Sequence, residues 1–309
     1  MKKTTIRKFA WATLPLAATF VVGCSGDDTG SDDDNTCTGH GCTTTTVNLE
    51  SDEAGEVRWE YMTFPGGTEA ARLTTYFRKS QNPAHFTVPE PGNCITYKDK
   101  NDTWPLANPA TVEALDVGTV TLEGAPTATM VSPQMDVVDP FYRPHDVAYT
   151  AFVQDNVSSV ITPSTEYDVK LGGNADFGGY TFEGAVRVPA AYDPPPLMES
   201  DFVSIPAGLD FTIDWTAPTE QTDDAIIPFL LFADENGVTT HTCIGDIGSN
   251  SITVPAAILT ETSTGGFLLH AQSIHRVVPM VDADGAETDK RVDMLGLWCH
   301  LRAYGISTQ

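Results

Sequence analysis

Long apolar runs are what this chain most plainly lacks. The longest, Phe9 to Val22, has 14 residues and contains Pro15, whereas a membrane-spanning helix needs about 20. No later stretch approaches that length without a charge or a turn, so helical spans are not expected. Cations are scarce as well: 17 lysines and arginines stand against 42 acids. A field of that sign repels polyanions and anionic head groups, which excludes nucleic acid as a partner. Helical periodicity is nearly absent. Its best candidate is about one turn at Pro255-Ala256-Ala257-Ile258-Leu259, with proline at an allowed helix start.

Recognisable catalytic motifs are missing too. The chain has no Gly-x-Ser-x-Gly elbow, and His270 and His275 lack the spacing of a metalloprotease helix. No glycine-rich loop precedes a helix, so there is no phosphate cradle. Asp282-Ala283-Asp284-Gly285 has the middle of a calcium loop, but Met280 holds the first ligand position and no glutamate follows at the right distance. It reads as a plain turn. These absences predict no catalytic residue, no metal and no cofactor.

What is present begins at the N-terminus. Lys2, Lys3, Arg7 and Lys8 precede the apolar run, and Val21-Val22-Gly23-Cys24 closes it. Together they resemble the signal peptide and lipobox of a bacterial lipoprotein. The cations hold the start of the chain on the cytoplasmic side, the apolar run enters the membrane, and small Gly23 lets a peptidase reach the bond before Cys24. The resemblance implies acylation of the Cys24 thiol, with a membrane anchor of two or three acyl chains such as palmitate. Each buried CH₂ adds about 0.8 kcal/mol to that anchor. Ser25 follows the cysteine, which under the enteric sorting rule implies the outer membrane.

Residues 1–23 are therefore read as the signal peptide. That segment takes four of the 17 cations and no acids, leaving 13 against 42, a formal −29 for the remainder. Ser25 to Thr46 holds glycine, serine, threonine and five aspartates, with no lysine or arginine. Nothing there can form a core, so residues 24–47 read as a lipidated, disordered acidic stem. The 22 residues from Ser25 to Thr46 would span roughly 25 Å as a flexible coil.

The body is patterned for strands. Val57, Trp59 and Tyr61 alternate with Arg58 and Glu60; Val120 and Leu122 with Thr119 and Thr121; Phe211, Ile213 and Trp215 with Thr212, Asp214 and Thr216. Each pattern places apolar groups on one sheet face and polar groups on the other. Turn signals are dense, and Asn236-Gly237 between two apolar runs predicts a hairpin. The fold class is all-β, built from antiparallel β-sandwich domains. Asp193-Pro194-Pro195-Pro196 cannot sit in a central strand and reads as a stiff linker. It divides an N-terminal sandwich, residues 48–195, from a C-terminal immunoglobulin-like sandwich, residues 196–309. A single larger sandwich is the alternative.

Several stretches resemble a group of lineage-specific lipoproteins of myxobacteria and related deltaproteobacteria. They are Leu115 to Val120, Tyr167 to Pro189, Phe211 to Thr216, Thr242 to Asp246 and Ile252 to Ala257. The resemblance implies a β-sandwich and an envelope location. Relatives in this group often carry a second cysteine shortly before the one matching Cys94; this chain has none there.

If Cys24 is lipidated, five cysteines remain for an oxidising compartment. Cys243 and Cys299 both sit in strand-like runs and are expected to pair across the C-terminal sandwich, closing a loop whose entropy is worth roughly 4 kcal/mol. A zinc site from His241, Cys243, Cys299 and His300 competes, but adjacent Cys299 and His300 point to opposite strand faces. Cys37 and Cys42 bracket a flexible Thr-Gly-His-Gly and could close locally. Cys94 is left as a small buried residue.

The functional expectation is a lipid-anchored cell-envelope protein without catalytic activity. It would bind envelope or extracellular protein or glycan through its sandwich surfaces, or serve there structurally. One alternative is an envelope-polymer hydrolase with carboxylates in an inter-domain groove. Another is a carbohydrate- or ion-binding module, with Trp104, Tyr142 or Tyr180 as an aromatic platform.

Overall fold

The computed structural model describes residues 44–48, 53–80, 85–89, 92–97, 112–114, 116–125, 127, 129–131, 148–174, 178–218, 224–234, 240–262, 264–281 and 286–307. In chain order the first strands are β1 (Thr44–Asn48), β2 (Glu53–Thr63), β3 (Glu69–Ser80), β4 (His85–Pro89), β5 (Cys94–Tyr97) and β6 (Val112–Ala114). Next come β7 (Val120–Leu122), β8 (Thr129–Val131), β9 (Ala148–Val153), β10 (Glu166–Leu171), β11 (Tyr180–Arg187) and β12 (Phe202–Pro206). The last are β13 (Phe211–Asp214), β14 (Ile226–Asp234), β15 (Thr240–Ile244), β16 (Ser251–Val254), β17 (Gly265–Val281) and β18 (Glu287–Ser307). One short helix, α1 (Ala256–Glu261), follows Pro255 as the sequence predicts. The Asp210 carboxylate accepts the Ala256 N–H at 2.8 Å, where the first turn has no backbone acceptor. The protein is all-β.

Eleven strands form one sheet, in the order β5-β15-β14-β17-β18-β2-β3-β9-β8, with β12 beside β18 and β6 beside β3. Its spine is the long hairpin of β17 and β18, 17 and 21 residues respectively. Met294 to Leu301 explains why β18 is central: apart from Gly296 and His300 its residues are apolar on both faces, the mark of a strand covered on both sides. Leu295 and Leu297 on one face and Met294 on the other are all 0% exposed.

The expected boundary at Asp193 to Pro196 does not separate two sheets. Strand β2 pairs with β18 along Arg291 to His300, and β5 pairs with β15, so residues from both sides of the prolines share one sheet. The larger single sandwich, the alternative in the sequence, describes this topology. The pairing also departs from a purely antiparallel scheme. Both β2 and β12 run parallel to β18, β12 taking over at Ala303 where β2 has ended.

A second layer covers one face of the large sheet, called here the inner face. It consists of the three-stranded sheet β11-β10-β7 and the two-stranded sheet β13-β16. Trp59 on the inner face meets Tyr167 of β10 edge-on at 6.1 Å, and Phe232 meets Phe211 of β13 at 6.2 Å. Phe211, Ile213 and Trp215 are buried while Thr212, Asp214 and Thr216 are exposed, as their alternation predicts. Strands β14 and β15 pair from Ala233 and Thr240 outward, which is the hairpin expected around Asn236-Gly237. A further two-stranded sheet joins β1 to β4. Strand β1 occupies Thr44 to Asn48, so the end of the expected stem is extended and paired rather than disordered; the rest of the stem lies outside the described residues.

One sequence expectation is refined here and one corrected. Arg58 and Glu60, on the polar face of the β2 alternation, are 0% and 2% exposed. Sheet alternation does separate them from Trp59, but the face they occupy is buried as well. The correction concerns the cysteines. Cys243 is bonded to Cys94, with Cα atoms 4.0 Å apart, and Cys299 is a free, buried thiol. Register decides the matter. Strand β5 sets Cys94 directly opposite Cys243. Cys299 lies three strands away across β14 and β17, roughly 14 Å at normal strand spacing, and on the opposite face from Cys243. The expected Cys243–Cys299 link is thus ruled out by both distance and direction.

Candidate functional site

Among the described residues, a grouping of chemistry-bearing side chains on the inner face surrounds Tyr192. Strand pairing sets His270 of β17 directly opposite His300 of β18. Both histidines stand in otherwise apolar stretches and project toward the second layer. Tyr192, in the extended segment after β11, comes down between them. Its ring meets those of His270 and His300 edge-on, at 5.4 and 4.7 Å. Trp215 packs on His270 from the other side at 4.5 Å, and Trp298 stacks on Tyr61 at 3.8 Å.

Hydrogen bonds fix the proton positions. His300 Nε2 lies 3.0 Å from the Tyr192 carbonyl, which can only accept, so Nε2 carries the proton. Nδ1 of the same neutral ring then accepts from the Thr63 hydroxyl at 2.8 Å. The Tyr192 hydroxyl is 2.8 Å from His270 Nδ1, against 3.4 and 3.3 Å to the carbonyls of His270 and Trp298. Only the first is of normal O–H donor length, so the hydroxyl proton is assigned to Nδ1. Burial holds both rings neutral. It drives His270 well below the usual histidine range, with His300 as a second cause. It lowers His300 to about 4, against a raising contribution from the Tyr192 carbonyl and a further lowering by Arg302. Burial also pushes the Tyr192 phenol well above its ordinary value.

Arg302 closes one end of the grouping where β18 exchanges β2 for β12. Its guanidinium donates to the carbonyls of Met198, Leu301 and Thr63 at 2.8, 2.6 and 3.3 Å. These acceptors are neutral, and burial lowers the pKa of Arg302. The arrangement stitches three chain segments together and resembles a structural polar core more than a reaction centre.

A consequence follows for acid stability. In the unfolded chain both histidines titrate near 6.5, while the folded His300 resists protonation until about pH 4. The unfolded state therefore binds more protons as pH falls through this interval, and stability drops with it. Stability is expected to be complete above about pH 6.5 and to lose about 3 kcal/mol by pH 4 through His300 alone. His270 adds to the loss in the same direction. Glu166 and Asp224, whose carboxyls are held low chiefly by hydrogen bonds from Arg276, contribute only at more acidic pH. Urea denaturation at pH 7.5, 6 and 4.5 checks this. A midpoint that does not fall over that range, or that falls equally in His300→Gln, contradicts it.

Other chemistry sits elsewhere. On the opposite face His275 Nε2 lies 2.7 Å from Asp293 Oδ1, with both side chains largely buried. Such a pair is suited to general-base work. Ser273 stands two residues along the same strand face, but its hydroxyl donates to the Ile227 carbonyl at 3.1 Å and is not joined to the pair. At the rim, Arg276 binds Asp224 through two bonds of 2.9 and 2.7 Å and Glu166 at 2.8 Å, clamping the second layer to β17. Among the described residues no group of three or more histidine, cysteine and acidic side chains could hold a metal ion. No helix among them is long and apolar enough to cross a membrane.

The residues singled out in the sequence are scattered. Cys24, Cys37, Cys42, Trp104, Tyr142 and the Asp282–Gly285 turn lie outside the described residues. Tyr180 is partly buried on β11 and accepts the Val281 N–H at 2.8 Å. His241, Cys243, Cys299 and His300 do not converge, since Cys243 is disulfide-bonded and Cys299 faces away. Tyr192 and His270 were missed as a pair because 78 residues separate them. The available signal was a polar residue inside an apolar strand, which demands a buried partner. No protein-family model matches the chain, and no curated protein matches it.

Proposed function

We propose that the protein is a lipid-anchored component of the bacterial cell envelope, non-catalytic, that serves a binding or structural role through its β-sandwich surfaces. The observation that carries this reading is the sequence Val21-Val22-Gly23-Cys24 behind a basic and apolar leader. The Cys94–Cys243 disulfide supports it, because such bonds persist in exported proteins and are rare in the cytosol. The outer membrane is the proposed location, from Ser25. With 42 acids in the chain, neutral or cationic protein and glycan surfaces are the favoured partners and polyanions are disfavoured.

Metabolic labelling with a radioactive fatty acid tests the anchor. The full-length protein is expected to take up label and sediment with membranes. The Cys24→Ser protein should take up none and lose stable membrane association. Unlabelled wild-type protein would remove the foundation of the proposal. Cross-linking in the intact envelope, followed by identification of the attached component, then tests the binding role. Measured turnover of an envelope glycan or peptide by the purified protein would replace it with the hydrolase reading.

A further inference from the structure

Three buried polar atoms near Tyr192 have no hydrogen-bond partner among the described residues: His270 Nε2, Gln272 Oε1 and Trp215 Nε1. Their residues are 0%, 2% and 4% exposed. Leaving one such atom unmade costs about 1–3 kcal/mol, so three on one stretch of an otherwise apolar core call for a shared explanation. They do share a stretch. His270 and Gln272 are two apart on β17 and therefore project from the same face. The Trp215 ring packs against that of His270 with centroids 4.5 Å apart.

We propose that these three atoms hold one enclosed water molecule between the two layers of the sandwich. The donor and acceptor pattern selects the guest. With the Tyr192 hydroxyl donating to Nδ1, the neutral His270 ring keeps its proton on Nε2 and donates from there. The Trp215 indole can only donate, and Gln272 Oε1 can only accept. A water accepts the two N–H groups and donates to the amide oxygen, which meets the two to four partners an enclosed water takes. A bare anion would be opposed by Gln272 Oε1, and a cation by both N–H groups. The water links His270 to Gln272 and Trp215, while Tyr192 holds both histidines, its carbonyl accepting from His300 and its hydroxyl donating to His270. With the Thr63 hydroxyl on His300, these bonds tie together β2, β18, the segment after β11, β17 and the segment after β13.

The sign of a single substitution separates a bound guest from unpaired atoms. If Gln272 Oε1 is unpaired, Gln272→Leu removes a penalty and raises the melting midpoint. If it accepts from a held water, the same change strands that water and lowers the midpoint by about 2–4 °C. Water-selective NMR on the uniformly ¹⁵N-labelled wild-type protein gives a second readout that needs no folded variant. The Trp215 indole N–H, assigned by its loss in Trp215→Phe, is expected to show a cross-peak to a long-lived water. Absence of that cross-peak overturns the proposal, as does a raised midpoint in Gln272→Leu; the cross-peak together with a lowered midpoint supports it.

Discussion

Replacing Gly296 with alanine is expected to cost at least about 3 kcal/mol, near or beyond the upper end of ordinary overpacking, because no side chain can yield to make room. Gly296 lies on the inner face of β18, opposite Ile274 and Trp59 on its two neighbours. A Cβ there would drive into the Arg187 carbonyl and stand 2.9 Å from the Val188 Cα, and both are backbone of the second layer. Relief requires β11 to retreat from the large sheet, opening the contacts of the buried Val186 and Val188. Gly66 supplies the control. It has φ +82 in an exposed turn with nothing within 4 Å of its would-be Cβ, so Gly66→Ala carries only the left-handed penalty of about 1–2 kcal/mol. Urea denaturation of both variants checks the difference. A Gly296→Ala midpoint equal to that of Gly66→Ala would show that β11 does not rest on β18 as described.

Gly296 also shows where sequence reading stops. The alternation of Phe211, Ile213 and Trp215 and the turn residues between runs gave the all-β class, because strand periodicity is a local property. The α1 turn at Pro255 and the β14–β15 hairpin were legible for the same reason. Pairing between distant segments was not. Strand β2 meets β18 across more than half the chain, and nothing in the composition of either names the other. The Cys94–Cys243 bond depends on β5 lying beside β15, so counting cysteines and judging their settings pointed to Cys299 instead. The Tyr192 grouping needed the same missing information, since His270 and His300 become neighbours only through the β17–β18 register. The lone histidines were visible in the sequence, whereas their common partner was not.

Arg58 illustrates a different failure and carries the second large expected effect. Glu56, Arg58 and Glu60 alternate in sign along one face of β2, and β3 places Arg72 opposite Glu60. Alternation assigns Arg58 and Glu60 to the polar face of β2 without saying what covers that face, and all four residues are only 0–5% exposed. Arg58 pairs with Glu56 through Nη2 and its Nε approaches Glu60 at 3.7 Å, and Arg72 Nη2 holds Glu60 at 2.6 Å. Among the described residues, Arg58 and Arg72 thus stand against Glu56 and Glu60 in a place where an uncompensated charge is expensive. The matched signs at i, i+2 and i+4 were the signal that this face closes on itself. Arg58→Met keeps much of the apolar volume but removes the guanidinium between two buried carboxylates. Breaking a buried pair from one side typically costs about 3–5 kcal/mol, whereas replacing both members with apolar groups is often neutral. Arg58→Met is therefore expected to lose about that much stability, and Glu56→Leu/Arg58→Met is expected to recover a large part of it. Denaturant titration of the single and double variants at pH 7.5 measures both. A single variant within about 1 kcal/mol of wild type, in the range of exposed ion pairs, would mean that this face is hydrated in solution. A double variant weaker than the single one would mean that Glu56 is held chiefly by groups other than Arg58.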